Sequence, residues 1–228
     1  MTNRICVSIL PKNVLEALNL IEKAESAHAD LIEVRLDSLE TSRKLSDLVS
    51  HTKIPLIATN KLLSEKGNFS GTETERQKTL FNAAKNGFEY VDLDYSSPKL
   101  KAQIKELSAL GAKTIASFHK FDGSLSIPEM NIILEKQINS GCNVCKIITS
   151  AKQIEDNLSV LNFVSSNSSR ANLVCFCMGE HGRVSRLLSP LFGAFFTFAS
   201  LEQGSETAPG QMSIQEMKTA YTLLGQKL

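Results

Sequence analysis

Short runs of branched apolar residues recur along this chain, and most of them are followed by a longer stretch with helical periodicity. The pattern predicts eight strands, at 4–10, 30–37, 54–59, 88–94, 112–119, 143–149, 172–178 and about 191–198. Helices are predicted between most strands, at about 14–27, 43–51, 72–86, 98–110, 127–140, 151–165 and 213–224, with room for only a short helix at 182–188. Gly87, Gly111 and Gly141 stand just before a strand, where helix ends favour glycine.

Eight alternating units predict a single-domain, eight-stranded parallel β/α (TIM) barrel over residues 1–228. A chain of this length can bury one large core. An open doubly wound sheet is the competing architecture. If it bound a dinucleotide, such a sheet would need a glycine-rich turn after its first strand. Residues 8–11 supply no such turn, so the barrel is favoured.

The charge balance argues against several kinds of partner. The chain has 25 basic and 24 acidic residues and a formal net charge of +1, which predicts neither nucleic-acid nor membrane binding. A small-molecule substrate is favoured. The first ten residues read directly into a strand, without a signal-like apolar core, and five cysteines suit a reducing compartment. We therefore expect a cytoplasmic protein.

Lys146 interrupts the apolar run of residues 143–149. Strand side chains alternate between faces, and neither face of this run looks solvated, so Lys146 is predicted to be buried. Burial lowers the pKa of a lysine and allows it to act as an amine nucleophile that forms a Schiff base with a carbonyl. The alternative is a lysine near a strand end that reaches water or pairs with a carboxylate.

Polar side chains fall late in five predicted strands, where a β/α barrel carries its active site. They are Glu33 and Arg35, then Thr59, Asn60 and Lys61, then Asp92 and Asp94, then Ser117 and His119, and finally Lys146. His119 is the natural proton carrier, unless it is a strand-end imidazole that merely bonds to a neighbour. Glu33 and Arg35 could also form an internal ion pair, and Asp94 could cap a turn. A base beside an imine can drive elimination, aldol cleavage or isomerisation, and the pattern does not choose between them.

Two late loops, at 179–186 and 202–211, follow the last two predicted strands. The second contains acids and a proline, so it would make a poor phosphate cradle. Arg186 suits a carboxylate by bidentate pairing. Gly204 and Gly210 flank Pro209 and suit a mobile lid, although an ordinary connecting loop would have a similar composition.

Two rival functions stay open on the residues alone. A class I aldolase would use the same lysine on the same fold. A metal-binding or redox module could be built on Cys142, Cys145, Cys175 and Cys177, although these residues look more like small buried hydrophobes. Asp92 and Asp94 could be argued as a metal site, but no histidine accompanies them in their motif.

Six motifs, in order and spacing over essentially the whole chain, resemble the type I 3-dehydroquinate dehydratase family. They are Glu33-Val34-Arg35-Leu36-Asp37, Asp92-Leu93-Asp94, Ser117-Phe118-His119, Val144-Cys145-Lys146-Ile147, Gly182-Arg183-Val184-Ser185-Arg186 and Ala208-Pro209-Gly210-Gln211. The resemblance implies a β/α barrel that uses no metal or organic cofactor. It also implies removal of water from 3-dehydroquinate to give 3-dehydroshikimate in the shikimate pathway. Homodimers are usual in the family, and fusion to a shikimate dehydrogenase occurs.

The resemblance also assigns roles to residues. It implies Lys146 as the Schiff-base lysine, His119 as the general base and Glu65 as the acid that orients the histidine. It implies substrate contacts by Glu33, Arg35, Lys61, Arg186, Thr207 and Gln211.

Some positions depart from the family pattern. Lys61 stands where the family has an arginine, Thr207 where a serine is common, and Lys120 where Asp or Asn usually follows the histidine. A second glycine after the glutamate is missing, since Asn68 follows Gly67.

Overall fold

A computed structural model describes residues 3–40, 44–97 and 99–226. Within these ranges eight strands alternate with eight α-helices. The strands are β1 Ile5–Ile9, β2 Leu31–Arg35, β3 Leu56–Thr59, β4 Tyr90–Asp94, β5 Lys113–His119, β6 Val144–Ser150, β7 Leu173–Met178 and β8 Thr197–Ala199. The helices are α1 Val14–Ser26, α2 Leu45–His51, α3 Glu73–Lys85, α4 Leu100–Ala109, α5 Ile127–Ser140, α6 Asp156–Asn167, α7 Arg183–Leu188 and α8 Ile214–Leu223.

The eight strands form one parallel sheet in the order β7-β6-β5-β4-β3-β2-β1-β8. The edge strands β7 and β8 approach each other. The backbone amide of Phe195, two residues before β8, donates a hydrogen bond of 2.8 Å to the carbonyl of Leu173 in β7. The sheet is thus a nearly closed barrel, as predicted, and the open doubly wound alternative is wrong. All strands point the same way, so their carboxyl ends surround one mouth.

Alternate strand residues divide the core into two layers. One set fills the barrel interior, including Ile57, Ile115, Val144 and Phe196. The other set packs between the sheet and the surrounding helices, including Cys145 and Ile147. Adjacent residues of β6 therefore belong to different cores, which is the face division predicted for this strand.

Most predicted boundaries agree with the structure within one or two residues. Gly87, Gly111 and Gly141 have φ values of 95°, 85° and 83°, the left-handed conformation predicted for these helix ends. Helices α3, α5 and α8 begin with capping boxes, in which a Ser or Thr side chain and a glutamate three residues later satisfy the first backbone amides. The predicted starts at Arg43 and Pro98 lie outside the described residues.

Two boundary predictions were wrong. The eighth strand was placed from about Leu191, but residues 189–192 form a 3₁₀ turn that ends at Gly193, with φ 101°, and β8 begins only at Thr197. The sixth helix was placed from Ala151 but begins at Asp156. The Asp156 carboxylate accepts hydrogen bonds from the amides of residues 152 and 153, which holds the preceding segment as a turn.

In the part of the chain that the structure describes, none of the helices combines the length and the apolar character needed to cross a bilayer.

Candidate active site

A cavity of about 400 Å³ opens at the carboxyl ends of the strands. Its wall includes all nine site residues predicted from the sequence: Glu33, Arg35, Lys61, Glu65, His119, Lys146, Arg186, Thr207 and Gln211. Strand ends, two loops and helix α7 thus bring together residues that are up to 178 positions apart in the chain, since Glu33 and Gln211 both line the cavity.

Lys146 lies on β6 with its side chain directed into the barrel, and it is buried. Its Nζ lies 3.0 Å from Asp92 Oδ2 and 3.7 Å from Glu33 Oε1. The Phe198 ring lies beneath the ammonium group, with its centroid 4.4 Å from Nζ. The predicted burial is confirmed, and so is the pairing that the sequence left as the alternative. Both hold at once, because the paired amine also faces the cavity.

Asp92 joins two lysines at the bottom of the cavity. Its second oxygen, Oδ1, lies 3.1 Å from Lys61 Nζ and accepts a hydrogen bond of 2.6 Å from Ser117. Burial alone would raise the pKa of Asp92, but the ammonium groups of Lys146 and Lys61 hold it well below its usual range. Asp92 is therefore ionised at neutral pH and neutralises part of the positive charge around the nucleophile.

Lys61 is held by several neighbouring protein groups, so its ammonium group is less available to a substrate than that of an unpaired lysine would be. Its Nζ also forms a short ion pair with Asp94 and a hydrogen bond of 2.9 Å with Ser117. Asp94 in turn is held by Arg76 of α3, at 3.0 Å, so it is part of a charge network and not a turn cap. Burial opposes the charge of Lys61, but Asp92 and Asp94 raise its pKa.

His119 ends β5 and lines the same cavity, and its ring stacks on that of Phe121. Burial, aided by the nearby charges of Lys61 and Lys146, lowers the pKa of His119 well below its usual value. The imidazole is thus neutral at neutral pH and able to accept a proton.

Glu65 also lines the cavity, but its hydrogen bond of 3.2 Å comes from Ser96, and no hydrogen bond joins these described residues Glu65 and His119. Burial, together with the neighbouring Asp94 carboxylate, raises the pKa of Glu65 to about 7.

Glu33 and Arg35 point into the barrel from β2 but do not pair with each other, so the internal ion pair considered from the sequence is wrong. Glu33 accepts hydrogen bonds from Ser8 and, at 2.9 Å, from Thr59. Arg35 forms a bidentate pair with Asp37, at 2.8 and 2.7 Å. Both side chains are thereby fixed before any ligand arrives.

Arg186 is a buried guanidinium with little to balance its charge. Its Nη2 donates to the Pro209 carbonyl at 3.3 Å, its Nε is buried without a hydrogen-bond partner among the described residues, and its guanidinium lies 4.3 Å from the Phe176 centroid. Burial lowers the pKa of Arg186 to about 9. An anionic ligand in the cavity would satisfy this group.

The loop of residues 201–212 covers the mouth. Gln211 and Thr207 bond to each other, with the Thr207 amide donating to Gln211 Oε1 at 2.7 Å. The Pro209 carbonyl also accepts from the Gly179 amide, at 3.1 Å, which fastens the loop to the end of β7. The loop is therefore fastened in a position where Thr207, Pro209 and Gln211 form part of the cavity wall.

The sequence did not single out several residues that support the site. Asp92 was recognised as a strand-end acid, but its role as partner of both lysines was not. Arg76 was missed, although it occupies the apolar stripe of α3 with Leu80 and Ala83, and an arginine in such a stripe is a usable signal. Phe121 was missed because nothing distinguishes a loop phenylalanine from a core residue.

Two residues that depart from the family pattern, Lys120 and Asn68, contact neighbouring acids. Lys120 pairs with Asp122, at 2.9 Å, and the backbone amide of Asn68 donates a hydrogen bond to the Asp37 carboxylate.

The cysteines lie outside the cavity wall. Cys145, Cys175 and Cys177 are packed between the sheet and the helices, and Cys142 lies 3.8 Å from Cys145 between sulfur atoms. Across residues 3–40, 44–97 and 99–226, no group of three or more His, Cys, Asp or Glu side chains is arranged to hold a metal ion.

Three comparisons with known proteins agree. The family model described as type I 3-dehydroquinase matches residues 5–228. A 3-dehydroquinate dehydratase of Methanococcus maripaludis is 31% identical over 223 residues, which cover 97% of this chain and 100% of that protein. A 3-dehydroquinate dehydratase from Geobacillus kaustophilus has the same fold, with a TM-score of 0.89, 22% identity, and coverage of 99% of this chain and 92% of that chain. A structure from S. pombe that contains a dehydroquinate dehydratase and a shikimate dehydrogenase also matches, with a TM-score of 0.78 and 25% identity. The match covers 100% of this chain and 46% of that chain.

Proposed function

This chain belongs to the type I 3-dehydroquinase family and is a hydro-lyase that removes water from 3-dehydroquinate, and we propose that it does so through an imine on Lys146. The observation that carries this proposal is the arrangement of one cavity. A buried lysine, a neutral histidine and an incompletely paired arginine all line its wall. The class I aldolase considered from the sequence is not favoured, because the chain belongs to a dehydratase family.

The first step joins Lys146 to the ketone of the substrate. The ammonium group, held near Asp92, transfers a proton to the neutral imidazole of His119 and attacks the carbonyl carbon. His119 then returns this proton to the oxygen, the attached nitrogen gives up a second proton that also reaches the oxygen through His119, and the oxygen leaves as water. The net change is one ketone and one ammonium going to one iminium ion and one water molecule. The iminium charge replaces the ammonium charge beside Asp92, so the electrostatic balance of the site is kept.

The second step is the elimination itself. The iminium ion acidifies the C–H bond next to it, and His119 removes this proton to give an enamine. The enamine electrons expel the hydroxyl from the adjacent carbon, which also bears the carboxylate, and His119 returns the proton so that water departs. Hydrolysis of the conjugated iminium ion then releases 3-dehydroshikimate and restores Lys146.

The substrate is held at both ends in this proposal. Arg186 binds the carboxylate, which satisfies its buried Nε, while Thr207 and Gln211 close over it. Glu33 and Arg35 hold ring hydroxyls. Lys61 adds a contact from its place in the carboxylate network, whereas Glu65 lines the same cavity without a hydrogen bond to His119 and is given no orienting role in this proposal.

The test compares two lysines of the barrel. Lys146→Ala is expected to abolish formation of 3-dehydroshikimate while the circular dichroism spectrum is unchanged. Lys113→Ala is the control, because Lys113 is exposed at the amino end of β5 and pairs with Glu89 at 2.8 Å. Turnover by Lys146→Ala at the wild-type rate would refute the proposed nucleophile.

We also propose that the protein is a cytoplasmic homodimer. A domain of this kind can in addition be fused to a shikimate dehydrogenase domain, and we propose this as a second arrangement. The five cysteines are all free thiols, which suits a reducing compartment. Ile154, Leu158 and Val184 are exposed apolar residues at the adjoining starts of α6 and α7, and they form the surface that we assign to the dimer.

A further inference from the structure

The orientation of the His119 ring is not fixed by hydrogen bonding. Among the described residues none is hydrogen-bonded to its imidazole, and Glu65, which lines the same cavity, accepts its hydrogen bond from Ser96. A histidine that moves protons between several atoms must nevertheless keep its ring in one plane, because small misplacements of a reacting group are costly. Some other contact has to hold this ring.

That contact is the ring of Phe121. The two ring centroids are 5.9 Å apart and the planes differ by only 9°. This separation lies within the range of offset stacked pairs. Phe121 also lines the cavity, so the stacked pair of Phe121 and His119 forms part of its wall. Stacking opposes tilting of the imidazole but leaves its nitrogen atoms free for proton transfer.

Phe121 is itself held by Lys66. The Lys66 Nζ lies 4.5 Å from the centroid of the Phe121 ring, a cation–π distance. Lys66 has a φ of 59°, a left-handed conformation that is unfavourable for a residue with a side chain. The residue is therefore kept in a strained conformation on the same loop that carries Glu65.

The surrounding loop explains how this conformation persists. The Phe69 amide donates to the Lys61 carbonyl at 3.0 Å, and the Gly67 amide donates to the Leu62 carbonyl at 2.9 Å. A Cβ atom on Gly67 would lie 2.1 Å from the Lys61 carbonyl oxygen, so the loop closes too tightly for another residue there. A rigid turn thus presents Lys66 to Phe121.

We propose that Phe121, clamped by Lys66, is the positioning residue for the catalytic His119. The stack of ammonium, phenyl ring and imidazole is continuous from the loop after β3 to the end of β5. This inference rests on the proposed role of His119 and adds the group that holds it. It requires that Phe121 affect the proton-transfer steps more than the binding of substrate.

The first test replaces Phe121 and compares kcat with KM. Phe121→Leu keeps an apolar side chain but removes the stack, so we expect kcat to fall about threefold to tenfold with KM nearly unchanged. Phe121→Tyr keeps the ring and is expected to retain the wild-type kcat. Phe118→Leu is the control, since Phe118 points away from the cavity and packs edge-on against Tyr95. A wild-type kcat in Phe121→Leu, or an equal loss in Phe118→Leu, would overturn the proposal.

Borohydride trapping separates this inference from the proposed function. If wild-type protein gives no reduced adduct on Lys146, the proposed function fails. If the wild type is trapped and Phe121→Leu is trapped equally well but turns over slowly, the positioning role is supported. If the wild type is trapped and Phe121→Leu turns over normally, only the positioning role fails.

The second test concerns the clamp. Lys66→Met removes the cation and is expected to lower kcat about twofold to fivefold. Lys66→Arg keeps a cation at this position, so its kcat should be close to that of the wild type. Lys66→Gly relieves the unfavourable φ and also removes the cation, so its kcat should fall as in Lys66→Met even where its melting temperature rises. A kcat of Lys66→Met equal to that of the wild type would remove Lys66 from the proposal.

Discussion

The two lysines of the cavity differ in the number of carboxylates that lie near their ammonium groups. Lys61 Nζ lies within 4 Å of three carboxylates, those of Asp92, Asp94 and Glu65. Lys146 Nζ lies near two, Asp92 at 3.0 Å and Glu33 at the longer distance of 3.7 Å. A lysine with more ionic partners loses its proton less readily. The residue environment therefore favours Lys146 as the nucleophile and assigns Lys61 mainly to the charge network.

Removal of the imidazole should separate imine formation from elimination. In His119→Ala we expect 3-dehydroquinate still to form an adduct on Lys146, more slowly because solvent must then carry the protons of imine formation, but turnover should fall about 10²- to 10⁴-fold, because general acid–base assistance to the elimination is lost. Borohydride trapping and a steady-state assay on the same preparation measure the two effects. Near-normal turnover would exclude His119 from the mechanism.

Glu65 should make stability depend on pH in a defined direction. Its pKa is about 7 in the folded protein, higher than the ordinary value of 4.5, so folding favours the protonated form. Stability should therefore fall as the pH rises from about 4.5 through 7. Glu65→Gln should unfold in urea with about 1 kcal/mol more stability than wild type at pH 8, after allowance for solvent screening, and the difference should vanish near pH 4. A difference that is constant with pH would contradict the assignment.

At the scale of elements, the sequence predicted helices and strands best where local chemistry fixes their ends. Glycine after α3, α4 and α5, and capping boxes at α3, α5 and α8, set boundaries that depend on neighbouring residues alone. The failures at β8 and α6 have a different origin. There a 3₁₀ turn ending at Gly193 and a turn bonded to Asp156 interrupt apolar patterns that would otherwise extend the element.

The covering loop offers a matched pair of glycines for a test. Gly210 and Gly204 both have positive φ, at 72° and 88°. A Cβ on Gly210 would lie 2.1 Å from the Gly179 carbonyl oxygen, whereas a Cβ on Gly204 would meet nothing within 4 Å. We expect Gly210→Ala to displace the loop and raise KM at least about tenfold, since contacts from Thr207, Gln211 and Pro209 are lost together. Gly204→Ala should change KM little, and equal KM values in the two variants would contradict this loop position as the binding conformation.

At the scale of the whole molecule, barrel closure explains why sequence reasoning found the site residues. The period of two along each strand selects which side chains face inward, and parallel strands bring their carboxyl ends to one mouth, so late strand residues such as Glu33, His119 and Lys146 converge. Glu65, Thr207 and Gln211 lie in loops, and only the family resemblance assigned them to the site. Which inward-facing groups pair with each other was not predictable. The pairing of Arg35 with Asp37 instead of Glu33, and of Asp92 with both lysines, depends on side-chain conformations and on the register between strands.

The proposed dimer can be tested with two leucines of similar exposure. Leu158 is 68% exposed at the start of α6, and Leu15 is 70% exposed on α1. Leu158→Glu would place a charge in the proposed interface, so we expect it to sediment as a monomer at concentrations where the wild type is a dimer. Leu15→Glu should sediment as the wild type does. A monomeric wild type would refute the dimer, and a dimeric Leu158→Glu would place its interface elsewhere.

The central claim is that Lys146 forms a covalent imine with 3-dehydroquinate. The measurement that tests it most directly is mass spectrometry of the protein after incubation with 3-dehydroquinate and borohydride, with peptide mapping of the adduct. We expect one adduct, with the mass of reduced substrate or product, on the peptide that contains Lys146, and none in Lys146→Ala. An adduct on another lysine, or rapid formation of 3-dehydroshikimate with no trapped adduct, would contradict it.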